Sequence, residues 1–226
     1  MSTLLQPIIN VLNVMLNFFQ SFTHDYGFAV ILLTLLVRSL LFIFNLRGAR
    51  QQVRQSRAQP ELAQMRSKFA NDTKAMSQEM MRIYAKFGIK PLSLIGASLI
   101  QAPIFFSIIH LFNSHGAMMT SSFIPWVSSL GQADPLHIIP LLYAGVTLVS
   151  MIIPLTAEIT MTGSLLLRTG LPVVMVSIMG IVIWSSPIAV GLYWTTNALF
   201  AIMERGFYRT SVGRRLVNKG LPATST

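Results

Sequence analysis

Residues 26–46 read YGFAVILLTLLVRSLLFIFNL, an apolar run in which Arg38 is the one charge, between Asp25 on one side and Arg47 on the other. A helix of that length rises about 31 Å, close to the roughly 30 Å hydrocarbon core of a bilayer. Arg38 sits two residues past the centre of the run, so about 3 Å from the midplane of a symmetric span. Placing an arginine there costs about 3 kcal/mol even on lenient insertion scales. The bland alternative is snorkelling toward Arg47, about 13 Å further along the helix. An arginine side chain covers about half that distance, so Arg38 needs a polar cavity or water beside it and is the first candidate functional residue.

The rest of the chain fits a polytopic membrane protein. Its 226 residues are 53% hydrophobic and 11% charged, with a mean hydropathy of +0.61, far from the balance of a soluble domain. The net charge of +10 is unevenly placed. Arg47, Arg50, Arg54, Arg57, Arg66, Lys68, Lys74, Arg82, Lys86 and Lys90 share one segment, and Arg205, Arg209, Arg214, Arg215 and Lys219 follow the last apolar run. Residues 1–25 and 114–135 carry no Lys or Arg. The positive-inside rule therefore puts 47–90 and the C-terminus in the cytoplasm and the N-terminus outside. The chain lacks cysteine, which excludes disulfides, thiolate metal sites and thiol nucleophiles. No basic n-region precedes the first apolar residues, so the start does not read as a standard signal peptide.

Five spans are expected. In 4–22, Gln6, Asn10, Asn13, Asn17 and Gln20 recur at gaps of four and three, one stripe of an uncharged amphipathic helix on the outer leaflet, with a poor transmembrane helix as the alternative. Residues 1–25 are read as that external helix, 26–46 as the first span and 47–90 as a basic cytoplasmic helical hairpin. Pro60 followed by Glu61 marks a kink or restart in the hairpin, Asn71-Asp72-Thr73 a capped turn and Gly88 a helix end. Arg50, Arg54, Arg57, Arg66, Arg82 and Lys86 are its candidate contact residues. Such a charge run is also what a solvated helix face looks like. Residues 91–206 supply the remaining four spans. The second is 91–113, with Gln101 and a kinking Pro103 inside. The third is 136–156, followed by an inner loop with Glu158 and Arg168. The charge-free stretch 169–203 is too long for one span, and Ser185-Ser186-Pro187 divides it into two of about 16 residues each, short enough to thin the membrane locally. Residues 207–226 form a basic tail.

No soluble-type catalytic constellation exists. H-E-x-x-H and phosphate-binding glycine loops are absent, the four histidines stand apart, and Asp25 and Asp134 both fall at the outer edge. Tyrosines, Trp194 and the thirteen methionines read as packing. An enzyme, a metal site and a cofactor are not expected. The polar residues within spans, Thr34, Arg38, Gln101, Ser150, Thr195, Thr196 and Asn197, can instead line one concave surface, since amides and charges facing lipid cost free energy. For the hydroxyls the competing role is a bond to their own backbone.

The order Gln59-Pro60-Glu61, Gln78-Glu79-Met80-Met81, Tyr84, Gly88, Lys90-Pro91-Leu92 and Leu99-Ile100-Gln101-Ala102-Pro103-Ile104-Phe105 resembles the YidC family of membrane insertases, which includes the Oxa and Albino-type proteins. Thr34 to Arg38, Asp134-Pro135 to Thr147 and Gly191-Leu192-Tyr193-Trp194 are similar too, so the resemblance covers about residues 4–210. It implies an all-α core of five transmembrane helices with a hydrophilic groove open to cytoplasm and lipid and closed outside. It implies a membrane protein insertase and chaperone of the bacterial plasma membrane, without cofactor, that moves short polar tails across the bilayer. In that family the arginine matching Arg38 attracts acidic or polar parts of incoming chains. Nascent membrane proteins and the bilayer are the implied partners, with the ribosome, the signal recognition particle receptor and the Sec translocon beside them, for a functional monomer. Two positions depart from the pattern: Lys90 to Gly96 lacks the usual small pair after Asn-Pro, and Ile152 replaces a groove glutamine. The large periplasmic domain of Gram-negative members is missing, which suits a Gram-positive type or a shortened chain. The rivals are a small anion transporter or channel that binds its substrate at Arg38, and a passive assembly scaffold. The first is disfavoured because such carriers show paired repeats and none is visible. The second leaves Arg38 without a role.

Overall fold

The computed structural model describes residues 2–156 and 165–220. The expected inner loop around Glu158 and the end of the 207–226 tail lie outside them. Eight α-helices follow in order: α1 (Ser2–Thr23), α2 (Tyr26–Lys68), α3 (Thr73–Phe87), α4 (Pro91–His115), α5 (Ile138–Ile152), α6 (Leu165–Trp184), α7 (Ile188–Arg209) and α8 (Ser211–Asn218). Among the described residues the β-structure is one isolated bridge, Ala133 to Pro187. By length and composition, one helix among them is long and apolar enough to cross a membrane, Tyr26–Lys68.

Local chemistry explains most of the boundaries. Asp72 caps α3 by accepting from the Ala75 N–H, and Gly88 closes it in the left-handed conformation at φ 63°, which glycine adopts without a Cβ penalty. The α5 helix stops at Ile152, with Ile153 extended, because the residue before Pro154 is driven out of the helical region. At 15 residues it falls short of the expected 136–156 span. The break at Ser185-Ser186-Pro187 stands where the sequence puts it. The flanking helices, however, have 20 and 22 residues, longer than the 16 or so expected, because they run past the charge-free stretch to include Arg168 at one end and Glu204, Arg205 and Arg209 at the other. Of the kink or restart expected at Pro60, the restart does not occur: α2 has 43 residues and contains Pro60. That proline is exposed, so the carbonyl it leaves unpaired is within reach of water and the helix continues.

The chain forms two compact units. The first gathers the described residues of Met1–Leu41, Leu99–Ile153 and Thr162–Glu204. Its core joins Ile9, Leu12 and Leu16 of α1 to Ala29, Val30, Leu33 and Val37 of α2, with Ile108, Leu111 and Phe112 of α4 and Ile188 and Leu192 of α7. Pro7, Ile8 and Met15 share an apolar cavity of about 440 Å³ with Val37, Leu40, Leu41 and Ile104. Because α1 and α2 are joined by a short turn at His24–Asp25, this shared cavity means that α1 runs back beside α2 instead of leading away from it. Gln6 donates to Asn10, and Asn17 to Asn13, along the amide stripe. A separate face of α1 presents Val11, Val14, Phe18 and Phe22 to the outside.

Two buried carboxylates close one end of this unit. Asp25 accepts from the Phe28 N–H at the start of α2, from the Ser121 hydroxyl and from the N–H groups of Ser122 and Phe123. Asp134 accepts from the Trp126 indole and from the N–H groups of Leu136 and Ile139 at the start of α5. The backbone adds Tyr26 N–H to Thr120 O, Ile188 N–H to Gln132 O and Ala189 N–H to Leu130 O. The loop between α4 and α5 is thereby tied to the starts of α2, α5 and α7. The two acids that read as edge residues are the joints of this end.

The second unit gathers the described residues of Phe42–Ser98, Pro154–Met161 and Arg205–Thr226. Ala58, Leu62 and Met65 of α2 pack with Ile83 of α3 and Ile89, which makes the expected hairpin. Three arginines in it are committed inside the protein. Arg50 donates to Leu216 O at 2.9 Å. Arg54 donates to Gly88 O at 2.6 Å and to Gly220 O at 3.2 Å. Arg57 donates to the Asn218 side chain at 3.0 Å. Their positive charge meets the carbonyl-rich C-terminal ends of α3 and α8, where the helix dipole is negative. Leu46, Ala49 and Val53 pack with Tyr208 and Val217 alongside. The surface pairs are Lys86 with Glu61 and Arg82 with Glu79, while Arg66 is exposed in the last turn of α2.

Arg54→Ala should therefore lower stability by about 1–3 kcal/mol, the range for hydrogen bonds to a charged donor with its discount for partial exposure. Arg66→Ala should stay within about 0.5 kcal/mol of the unaltered chain. Thermal unfolding in detergent measures both, and amide exchange at Ile83–Ile89 locates the loosening. A second outcome concerns Asp25. Burial pushes its pKa up, but the Ser121 hydroxyl and the N–H groups of Phe28, Phe123 and Ser122 outweigh that and leave it below the ordinary carboxylate value. A lowered folded-state pKa gives stability that is present at neutral pH and lost as pH falls through that lowered value. Asp25→Asn should be less stable at neutral pH and show a flatter loss on acidification, measured as thermal midpoint against pH.

Candidate functional site

Arg38 lies 12 residues into α2, about 18 Å from the closed end of its unit, and Asn197 lies about 14 Å into α7. At that level four helices surround a cavity of about 280 Å³. The α2 helix contributes Arg38, and α4 contributes Gln101 and Phe105. Tyr143, Thr147 and Ser150 come from α5, and Tyr193, Trp194, Asn197, Ala198 and Ala201 from α7. The α5 set recurs at four and three residues, which is one helix face. The short side chains of Ala198 and Ala201 leave room next to the large ones.

Polar contacts knit the walls together. Arg38 donates through Nε to the Asn197 side-chain oxygen. Asn197 in turn donates from Nδ2 to Tyr193 O at 2.8 Å. Gln101 donates from Nε2 to the Tyr193 hydroxyl at 3.1 Å. Trp194 is packed between Phe105 and Tyr143, with ring centroids at 5.4 and 5.6 Å. Its indole N–H is buried and has no hydrogen-bond partner among the described residues, so a water in the cavity is its natural acceptor. The result is a half-buried guanidinium beside aromatic and amide groups, suited to bind carboxylates or other polar groups and devoid of any nucleophile–base pair. Among the described residues no group of three His, Cys, Asp or Glu side chains could hold a metal.

Of the residues expected to share one surface, Arg38, Gln101, Ser150 and Asn197 line this cavity. Thr34, Thr195 and Thr196 do not. All three are buried, and their hydroxyls donate to the carbonyls of Val30, Gly191 and Leu192 one turn earlier. That is the backbone alternative open to any helical Thr. Ser150 also donates to Thr147 O while facing the cavity. Tyr143, Tyr193 and Trp194 had read as packing, and Phe105 and Thr147 had no role assigned, yet they form much of the wall. The recurrence of Tyr143, Thr147 and Ser150 on one face was the available signal. Ile152, in the place of a family glutamine, is 57% exposed and does not line the cavity.

Comparison with known proteins matches residues 18–214 to the 60Kd inner membrane protein family. The chain is similar to the protein named membrane protein insertase YidC of Clostridium perfringens, 28% identical over 222 residues, covering 92% of this chain and 92% of that one. It is also similar to the proteins of the same name in Magnetococcus marinus, 28% identical over 202 residues, and Aliivibrio salmonicida, 29% identical over 215 residues. Those matches cover 89% and 95% of this chain but 34% and 38% of the relatives. The chain thus spans little more than a third of the length of several relatives and nearly all of one.

The absence of native cysteine allows a direct test of the cavity. A single cysteine at Ala201, which lines the cavity and is partly exposed, should react with a water-soluble maleimide in solubilised protein. Cysteines at Thr34 and Thr195 should be protected, by tenfold or more in rate as an order of magnitude for a side chain sealed in a close-packed interior.

Proposed function

Because the chain belongs to the 60Kd inner membrane protein family, we propose that it is a membrane protein insertase and chaperone that receives short polar tails of substrate proteins in the cavity around Arg38. The observation that carries this reading is a guanidinium within the apolar run of α2, beside a cavity lined by aromatic rings with a few amides and hydroxyls, and bonded there to Asn197. In hydrocarbon such a charge is costly. Beside a wet cavity it becomes a countercharge for an acidic tail.

In this reading α2, α4, α5, α6 and α7 are the five spans, with the Asp25 end outside and the C-terminus in the cytoplasm, as the charge asymmetry requires. The groove is closed on the outer side by the Asp25 and Asp134 joints. The α1 helix runs beside α2 from the outer side to about the depth of Arg38, with Val11, Val14, Phe18 and Phe22 toward lipid. Local thinning falls to α5, whose 15 residues rise about 22 Å against a core of roughly 30 Å. The hairpin within 47–90 and the tail after Arg205 face the ribosome, targeting factors or lipid head groups through Arg66, Arg82, Lys86, Arg214 and Arg215. Arg50, Arg54 and Arg57 hold the hairpin itself together. Substrates are nascent membrane proteins, the chain acts without bond chemistry, and a monomer carries the whole groove.

Reconstitution with a single-span substrate tests this. At 4 Å a charge pair is worth about 4 kcal/mol at an effective dielectric of 20 and about 1 kcal/mol in water. Arg38→Ala should therefore cut insertion of a substrate with an acidic tail by about tenfold, with normal protein levels in the vesicles. Arg38→Glu should do worse, and Arg38→Lys should keep a good part of the activity because the charge remains. Neutralising the tail should make insertion less sensitive to Arg38→Ala. Equal loss for acidic and neutral tails would mean that Arg38 only braces the helices.

A further inference from the structure

The amide of Asn197 has its two ends assigned by chemistry. Its nitrogen lies 2.8 Å from the Tyr193 carbonyl, which can only accept, and its oxygen meets the Arg38 Nε–H, which can only donate. The reversed rotamer would lose both bonds, so the orientation is fixed by the partners themselves. Asn197 is 9% exposed, and the hydroxyl of the same Tyr193 accepts from Gln101 on α4. These are two separate contacts of Tyr193: the hydroxyl bond links α4 to α7, and the carbonyl bond, within α7, holds Asn197 beside the guanidinium of α2.

A guanidinium has five N–H donors, one on Nε and four on the two terminal nitrogens. Engaging Nε fixes the plane of the group and leaves the terminal pair for the cavity that Arg38 lines. That pair is the edge that matches a carboxylate with two parallel bonds. Without the Nε bond, a long side chain beside a cavity samples many rotamers, and ordering it would fall on the substrate at the moment of binding.

We propose that Asn197 is a positioning residue that aims the terminal edge of Arg38 into the cavity, so that the site recognises a carboxylate by shape as well as by charge. The ligand class is an aspartate, glutamate or C-terminal carboxylate in the arriving tail. This inference rests on the reading of the Arg38 cavity as the substrate groove. It assigns to Asn197 an action through Arg38, not a contact with the substrate.

The test is the ratio of insertion for two substrates that differ only in tail charge, acidic against neutral, in proteoliposomes of the full chain. Asn197→Leu removes the acceptor at similar volume, and Asn197→Ser removes its reach without added bulk if leucine is not tolerated. Either variant should lower the ratio about threefold, equivalent to about 0.7 kcal/mol and less than the effect of Arg38→Ala, because the charge remains. The Arg38 Nε–H, followed by nitrogen-15 NMR, should exchange faster with solvent in both. Arg38→Ala, run in parallel, separates the two levels. If it collapses the ratio while the Asn197 variants leave it unchanged, the positioning role is wrong and the groove reading stands. If Arg38→Ala also leaves the ratio unchanged, both fall. Loss of insertion by the same factor for both tails leaves the ratio unchanged, and so also overturns the positioning role.

Discussion

A guanidinium midway along an apolar helix is the constraint on which this structure turns. Its cost in hydrocarbon is about 3 kcal/mol or more, and the chain meets it with a polar place to put the charge. The α2 and α7 helices bring Arg38 to the Asn197 oxygen. The aromatic side chains of Tyr143, Tyr193 and Trp194 and the small residues Ala198 and Ala201 keep a cavity open on the other side. An apolar replacement would relieve the cost, as with many buried charges. Under the proposed function, the charge is kept for a complementary charge or polar group that enters the cavity.

The two ends of the Arg38 unit are built differently, and that asymmetry gives the cavity a direction. At the end with Asp25 and Asp134, both carboxylates spend their oxygens on N–H and O–H groups of the α4–α5 loop and of helix starts. Charge-assisted bonds of this kind are strong and geometrically fixed, and negative charge at a helix N-terminus is favourable. No comparable set of carboxylate joints is found in the cavity walls among the described residues. Under the proposed function, a tail enters from the side away from these joints and passes only the shallow depth left by the short α5.

Much of this was legible in the sequence, for reasons tied to particular residues. The span over 26–46 and the importance of Arg38 follow from length and one charge. Asp72, Gly88 and the Ser-Ser-Pro break announce their boundaries through capping and turn chemistry that acts locally. Gln101 and Asn197 declare themselves because amides avoid lipid. What failed depends on distant partners. Arg50, Arg54 and Arg57 look like a solvated face at helical spacing, yet their acceptors lie 34 to 166 positions away. Thr34, Thr195 and Thr196 are indistinguishable in sequence from groove hydroxyls, and only rotamers show that they return to the backbone. Pro60 interrupts the expectation of a helix but not the helix, because exposure lets water replace the lost bond. The cavity aromatics read as packing because three helices must meet before a wall exists.

The central claim, that polar tails pass through the cavity beside Arg38, is tested most directly by where a substrate in transit touches the protein. A photoreactive amino acid at position 150 samples the cavity wall, and one at position 43 samples a side chain that is 59% exposed on the outside of α2. With a stalled nascent chain bearing an acidic tail, the account predicts crosslinks to the tail from position 150. It also predicts that these crosslinks are lost in Arg38→Ala, and that position 43 crosslinks to the tail only weakly. Crosslinks to the tail from position 43 with none from position 150 would contradict it.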